Sequence, residues 1–129
     1  MPLTVIANEY SIVCPQKAAN RVWNASNLLA TRLEELSGTK PTVVSDEKDT
    51  DKSDKEILVG STDRAESAID GIGYMDYVIR IKDGKIVLFG GSPLATQSAT
   101  EKFISMIKDG TISTLDGDFE YKTSYHALI

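Results

Sequence analysis

A two-layer α/β (α+β) domain is predicted, with a mixed β-sheet and two long helices packed on one of its faces. Residues 15–37 and 93–108 carry apolar side chains at three- and four-residue steps, the period of a helix with one buried stripe. Short runs rich in β-branched residues flank the first of these, as in a βαβ unit. Residues 75–89 have the pattern of a β-hairpin, because Asp83-Gly84 separates two such runs and suits the positive φ angles of a two-residue turn.

Along the chain, residues 3–13 (LTVIANEYSIV) have β character, with Asn8-Glu9 as a bend. A helix opened by Pro15 then runs to Ser37, its stripe formed by Ala18, Val22, Ala25, Leu29, Leu33 and Leu36. Gly38 lies just past the stripe as a C-terminal stop. Residues 41–44 (PTVV) form a short strand, expected parallel to the first through a right-handed crossover. Residues 45–56 (SDEKDTDKSDKE) form a mobile, solvated loop, too poor in apolar residues to offset the entropy of ordering. Asp46, Asp49, Asp51 and Asp54 supply the oxygen ligands a cation wants. A calcium loop of the EF-hand kind also needs a glycine at its sharp turn, however, and here Lys48, Lys52 and Lys55 interrupt the run instead.

Ile57-Leu58-Val59 is a strand ending at Gly60, and residues 63–69 form a short helix with Asp63 and Glu66 at capping-box spacing. Gly71 and Gly73 mark a loop before the hairpin. Gly90-Gly91 ends the second hairpin strand, Ser92 is the N-cap of the next helix, and Pro93 suits its first position. That helix turns Leu94, Ala95, Ala99, Phe103, Ile104 and Ile107 to one face. Phe119-Glu120-Tyr121 forms a small edge strand. A single domain over residues 1–129 is expected, with its core in 3–108 and a peripheral strand and tail in 109–129.

The net charge of -5 argues against a nucleic-acid or anionic-membrane partner, which would need a basic face. No stretch of about 18 apolar residues is present to span a membrane. The first residues do not show the basic start and long apolar run of a signal peptide. Cys14 is the sole cysteine, so no internal disulfide forms.

Each chemically suggestive residue has a plainer role. His126, the only histidine, lies in the tail, away from the rigid partners a triad or zinc site needs. Cys14 sits at a predicted helix start, where a thiol pKa falls; without a His or second Cys beside it, packing is its expected role. Gly90-Gly91-Ser92 resembles an anion cradle, yet Pro93-Leu94 stand where a phosphate loop carries its Gly-Lys ending. Asn24-Ala25-Ser26 is a glycosylation sequon in form, but it falls mid-helix. Trp23, Tyr10, Tyr74, Tyr77, Tyr121 and Tyr125 are too scattered for one sugar-stacking plane. Asp116 and Asp118 lie in a glycine-containing turn. No catalytic residue, cofactor-binding residue or metal ligand is assigned, and no cofactor is expected.

In the order and spacing of several segments, the chain resembles a known family. These segments are Leu33-Glu34-Glu35-Leu36-Ser37-Gly38 at the end of the first helix and the step Gly60-Ser61-Thr62-Asp63-Arg64 after a strand. The hairpin YVIRIKDGKIVL and the helix opening Gly90-Gly91-Ser92 complete the set. The chain is similar over residues 5–108 to the α/β domain that precedes the catalytic barrel in family 20 hexosaminidases (domain 2-like) and family 67 α-glucuronidases (N-terminal-domain-like). The resemblance implies a non-catalytic accessory domain of a bacterial, carbohydrate-active, glycoside hydrolase-like protein. Its partner would be a downstream catalytic domain of the same polypeptide, in an extracellular or periplasmic setting. An independent carbohydrate-binding module is the alternative. The chain departs from the family after Lys108, where members run on quickly toward the barrel.

The hairpin also points to a docking face. A two-residue turn pairs Lys82 with Lys85, Ile81 with Ile86, Arg80 with Val87, Ile79 with Leu88 and Val78 with Phe89, and directly opposed residues share a face. Tyr77, Ile79, Ile81, Ile86 and Leu88 form the apolar face expected under the helices. The other face is charged near the turn but apolar at Val78, Val87 and Phe89. A purely solvated face would stay polar throughout. Val78, Val87 and Phe89 are therefore the candidate domain-docking patch, to be covered by the neighbouring domain or by the chain's own segment around Phe119 and Tyr121.

Overall fold

The computed structural model describes residues 2–46, 55–115 and 117–123. It is an α/β fold with a six-stranded mixed sheet. In chain order the elements are α1 (Pro2–Glu9), β1 (Ser11–Cys14), α2 (Asn20–Ser37), β2 (Val43–Ser45) and β3 (Glu56–Val59). The hairpin strands β4 (Tyr77–Lys82) and β5 (Lys85–Gly90), then α3 (Pro93–Lys108) and β6 (Phe119–Lys122), complete it. Across the sheet the order is β2-β1-β3-β5-β4-β6. β2, β1, β3 and β5 run parallel, and β4 is antiparallel to both β5 and β6.

The pleat divides the strands cleanly. Ile12, Cys14, Ile57, Val59, Ile79, Ile81, Ile86 and Leu88 join the main core with Leu29 and Leu33 of α2 and Phe103 and Ile107 of α3. Val13, Leu58 and Val87 point the other way and form a separate small cluster. All the helices therefore lie on one face of the sheet. The hairpin register matches expectation pair for pair, and Asp83 and Gly84 take positive φ angles of 53° and 82° in the turn.

Four local expectations are corrected. Residues 2–9 form a helix, not a strand. β1 already has β2 and β3 on its two sides, and Ile6 is fully buried in the core beneath the helices, so packing outweighs β-propensity. The second helix starts at Asn20, not Pro15, because residues 15–19 turn at the sheet's carboxyl end with the Gln16 N–H held by Asp46. Residues 63–69 make only a 3-10 turn at Ala65–Ser67. The Asp63 carboxylate is taken by Arg64, so it does not cap that turn. The strand expected at 41–44 is observed at Val43–Ser45.

The helix ends follow their sequence signals. Gly38 adopts φ 86° and donates its N–H to the Glu34 carbonyl. Ser92 accepts the Ala95 N–H, with Pro93 opening α3. Leu36 and Leu94, assigned above to buried stripes, are 39% and 44% exposed, because Leu33 and Ala95 take the inward positions beside them. The charged loop expected at 45–56 is shorter, because Ser45 ends β2 and Glu56 begins β3, buried against Arg64; residues 47–54 lie outside the described residues.

Candidate docking face

The sheet face opposite the helices is built in rows. Val44, Val13, Leu58, Val87, Arg80 and Glu120 lie side by side across the strands, as the register requires. Toward the sheet's amino end lie Ser11, Glu56 and Lys85, and toward the carboxyl end Phe89, Val78 and Lys122. Residues 60–75 fold back over part of this face, so that Ile69 packs on Val13, Leu58 and Val87.

The fold-back is pinned by charge. Arg64 reaches across the sheet and donates to Glu56 through Nη2 at 3.0 Å and Nε at 3.2 Å, a bidentate pair. Both side chains are only 2% exposed. Lys85 adds its ammonium 3.2 Å from Glu56, and Asp63 accepts from Arg64 Nη1 at 2.7 Å. The Arg64 guanidinium pKa is pushed up, chiefly by the hydrogen bonds to Glu56, against the opposing cost of burial.

This geometry explains the Gly-x-Thr-x-Arg step. Gly60 supplies a φ of 81° where the chain leaves β3. The Thr62 hydroxyl sits 2.5 Å from the Ser67 hydroxyl and accepts the Arg64 N–H at 3.3 Å, shaping the turn. Arg64 then closes the loop on Glu56. Sequence reasoning recorded Arg64 as part of the step but missed its partner, since nothing in a linear pattern links it to Glu56. Asp46 was missed in the same way. Its two oxygens accept the backbone N–H groups of Gln16 and Asp63, each at 2.8 Å, so it clamps two loops rather than waiting on a cation.

The docking-patch residues fare unequally. Val78 and Val87 are 1% and 2% exposed within the domain itself, whereas Phe89 is only half-buried. Of the three, Phe89 alone offers substantial surface. The chain's own Phe119 and Tyr121 do not cover this face. They oppose Ile81 and Ile79 and so lie on the helix side, where Tyr121 meets the Tyr77 ring at 6.2 Å and the Lys102 ammonium at 5.4 Å. Between the 3-10 turn and the hairpin the face holds a groove of about 470 Å³, bordered by Glu66, Arg80, Lys82, Asp83 and Lys85 with Val87 at its base.

The remaining suggestive residues are not brought together. Cys14 is buried at the end of β1, and burial pushes its thiol pKa up, the opposite of activation. Gly90 and Gly91 are explained by packing: a Cβ on Gly90 would strike the Thr96 backbone nitrogen, and one on Gly91 the Gly73 carbonyl. The crevice beside them, about 380 Å³, lies at the carboxyl ends of β1, β3 and β5 next to Ser61, Ser92 and Lys17. Tyr10 donates to the Gly84 carbonyl at the hairpin turn, Trp23 packs against the core, and Tyr74 is 72% exposed, so these rings share no plane. Asn24 is exposed within α2, and Asp118 is exposed ahead of β6. Asp116, Tyr125 and His126 lie outside the described residues. Among the described residues no group of three His, Cys, Asp or Glu could hold a metal ion, and no helix is long and apolar enough to cross a membrane. No family model matches the chain, and no curated protein matches it significantly.

Proposed function

We propose that this chain is a non-catalytic accessory domain of a glycoside hydrolase-like, carbohydrate-active protein, buttressing a downstream catalytic domain of the same polypeptide. The observation that carries the reading is the asymmetry of the sheet. One face is sealed by three helices, while the other is only partly covered by residues 60–75 and leaves Phe89 at its surface. The buried Glu56–Arg64–Lys85 cluster stiffens that second face, as a buttress requires. The family resemblance supplies the identity of the partner, and two of the segments that carry it, the Gly60–Arg64 step and the hairpin, help build this face.

The reading separates from a carbohydrate-binding module by titration. The isolated chain is assayed against a panel of chromogenic glycosides and titrated calorimetrically with oligosaccharides. The expected result is neither turnover nor saturable heat, since glycoside hydrolysis ordinarily uses two carboxylates across the scissile bond. Turnover abolished by changing one carboxylate, or saturable binding of a sugar, overturns it.

A further inference from the structure

We propose that the outer edge of β6 pairs antiparallel with β6 of a second copy of this chain, in the register that sets Glu120 opposite Lys122 of that copy. The ladder with β4 determines which backbone groups are free to do so. Thr123 lies opposite Tyr77 and donates its N–H to the Tyr77 carbonyl at 3.0 Å. Hydrogen-bonded and non-bonded pairs alternate along an antiparallel ladder, so Tyr121–Ile79 and Phe119–Ile81 are bonded pairs as well. Glu120 and Lys122 therefore turn their N–H and C=O groups away from β4, toward the open edge of the sheet. β6 is the last strand in the sheet order, and both residues are exposed. No backbone bond to either is formed outside the sheet among the described residues. Residues 109–115 approach β6 from the hairpin-turn end and bury Ile112 in the core, and among the described residues β6 pairs with β4 alone.

Only registers that match outward-facing residues with one another satisfy these groups. Centring the two-fold on Glu120 sets two glutamates opposite each other, and centring it on Lys122 sets two lysines. Centring it on Tyr121 sets Glu120 against Lys122 twice, each pair exchanging two backbone hydrogen bonds. Cross-strand opposite charges stabilise a pair and like charges oppose it. Charged edge residues ordinarily deter pairing; here, within β6, they favour the register centred on Tyr121 over those centred on Glu120 and Lys122. The Tyr121 rings of the two copies meet on the helix face, and the two sheets join into one. An edge this short buries far less than the ~1,200 Å² of a standard interface, so the dimer is weak and concentration-dependent.

Sedimentation velocity of the full chain over a roughly hundredfold concentration range tests the proposal. The wild type is expected to shift toward dimer, more so at low salt. Lys122→Pro removes one outward N–H per copy and leaves the β4 ladder intact, since that N–H does not face β4; it is expected to stay monomeric with unchanged circular dichroism. Glu120 also accepts from Arg80 of its own chain at 2.8 Å, so the charge test is made at Lys122: Lys122→Glu leaves the Arg80–Glu120 ion pair in place and is expected to weaken association by about tenfold or more. A wild type that stays monomeric throughout, a Lys122→Pro variant that dimerises equally well, or a Lys122→Glu variant that associates as well as wild type overturns the proposal. It stands independently of the accessory-domain reading.

Discussion

Replacing Arg64 with methionine removes the fork that holds Glu56 and leaves that carboxylate, 2% exposed, with Lys85 as its remaining cation at 3.2 Å. Breaking a buried ion pair from one side costs about 3–5 kcal/mol, because the surviving charge stays desolvated. Against a total stability of about 5–15 kcal/mol for a domain, that is a large share. Glu56→Met should cost a similar amount, reduced by the Asp63 carboxylate that still holds Arg64 at 2.7 Å. The double variant Glu56→Met/Arg64→Met strands neither charge of the fork and should cost only about 1–2 kcal/mol, giving a coupling of roughly 2–4 kcal/mol or more. Urea unfolding of all four proteins, followed by far-UV circular dichroism, yields the cycle. The exposed pair Arg32–Glu35, at 49% and 55% side-chain exposure, is the internal control and should couple by no more than about 0.5 kcal/mol. Single variants that cost under about 1 kcal/mol, or effects that simply add, would refute the claim that this pair pins residues 60–75 to the sheet.

Other perturbations follow from the same structure. Asp46→Ala should destabilise by about 1 kcal/mol, since two exposed backbone N–H groups exchange a charged acceptor for water; a melting temperature equal to wild type would show that the clamp is idle. The pKa values of Cys14 and Tyr10 are raised mainly by burial, so the folded state retains protons that the unfolded chain releases. Their contribution to stability is intact below the ordinary values of 9.0 and 10.0 and falls as pH climbs past them. The Cys14→Ala/Tyr10→Phe variant should lose less stability than wild type between neutral and alkaline pH, and an identical loss would contradict the assignment. Phe89→Ser should cost the isolated domain about 1–2 kcal/mol, as Phe89 is only half-buried. It should weaken association with the catalytic domain proposed to follow by roughly tenfold or more, and calorimetry showing unchanged affinity would remove Phe89 from the docking face.

Much of the architecture was legible because it rests on local signals. Asp83-Gly84 gave the hairpin and its register, and Gly38 and Ser92 gave two helix ends, since each residue acts on its own backbone. What escaped depends on contacts distant in sequence. Residues 2–9 have strand-like composition, yet they form α1 and bury Ile6 in the core on the helix side of the sheet, a contact only the assembled fold reveals. Capping-box spacing at Asp63 and Glu66 suggested a helix that Arg64 prevents by engaging Asp63. The covered state of Val87 was hidden as well, because its alternation with charged residues does not show that Ile69 of the 60–75 segment returns over it. The alternation placed Val78, Val87 and Phe89 together on this face, and of the three only Phe89 is half-buried rather than buried.

The central claim, an accessory domain coupled to a catalytic one, is tested most directly by reading the coding sequence beyond the codon for Ile129. The account predicts an open frame that continues into alternating strand and helix patterns long enough for a catalytic barrel of about 250 residues. A stop codon directly after Ile129 would contradict it.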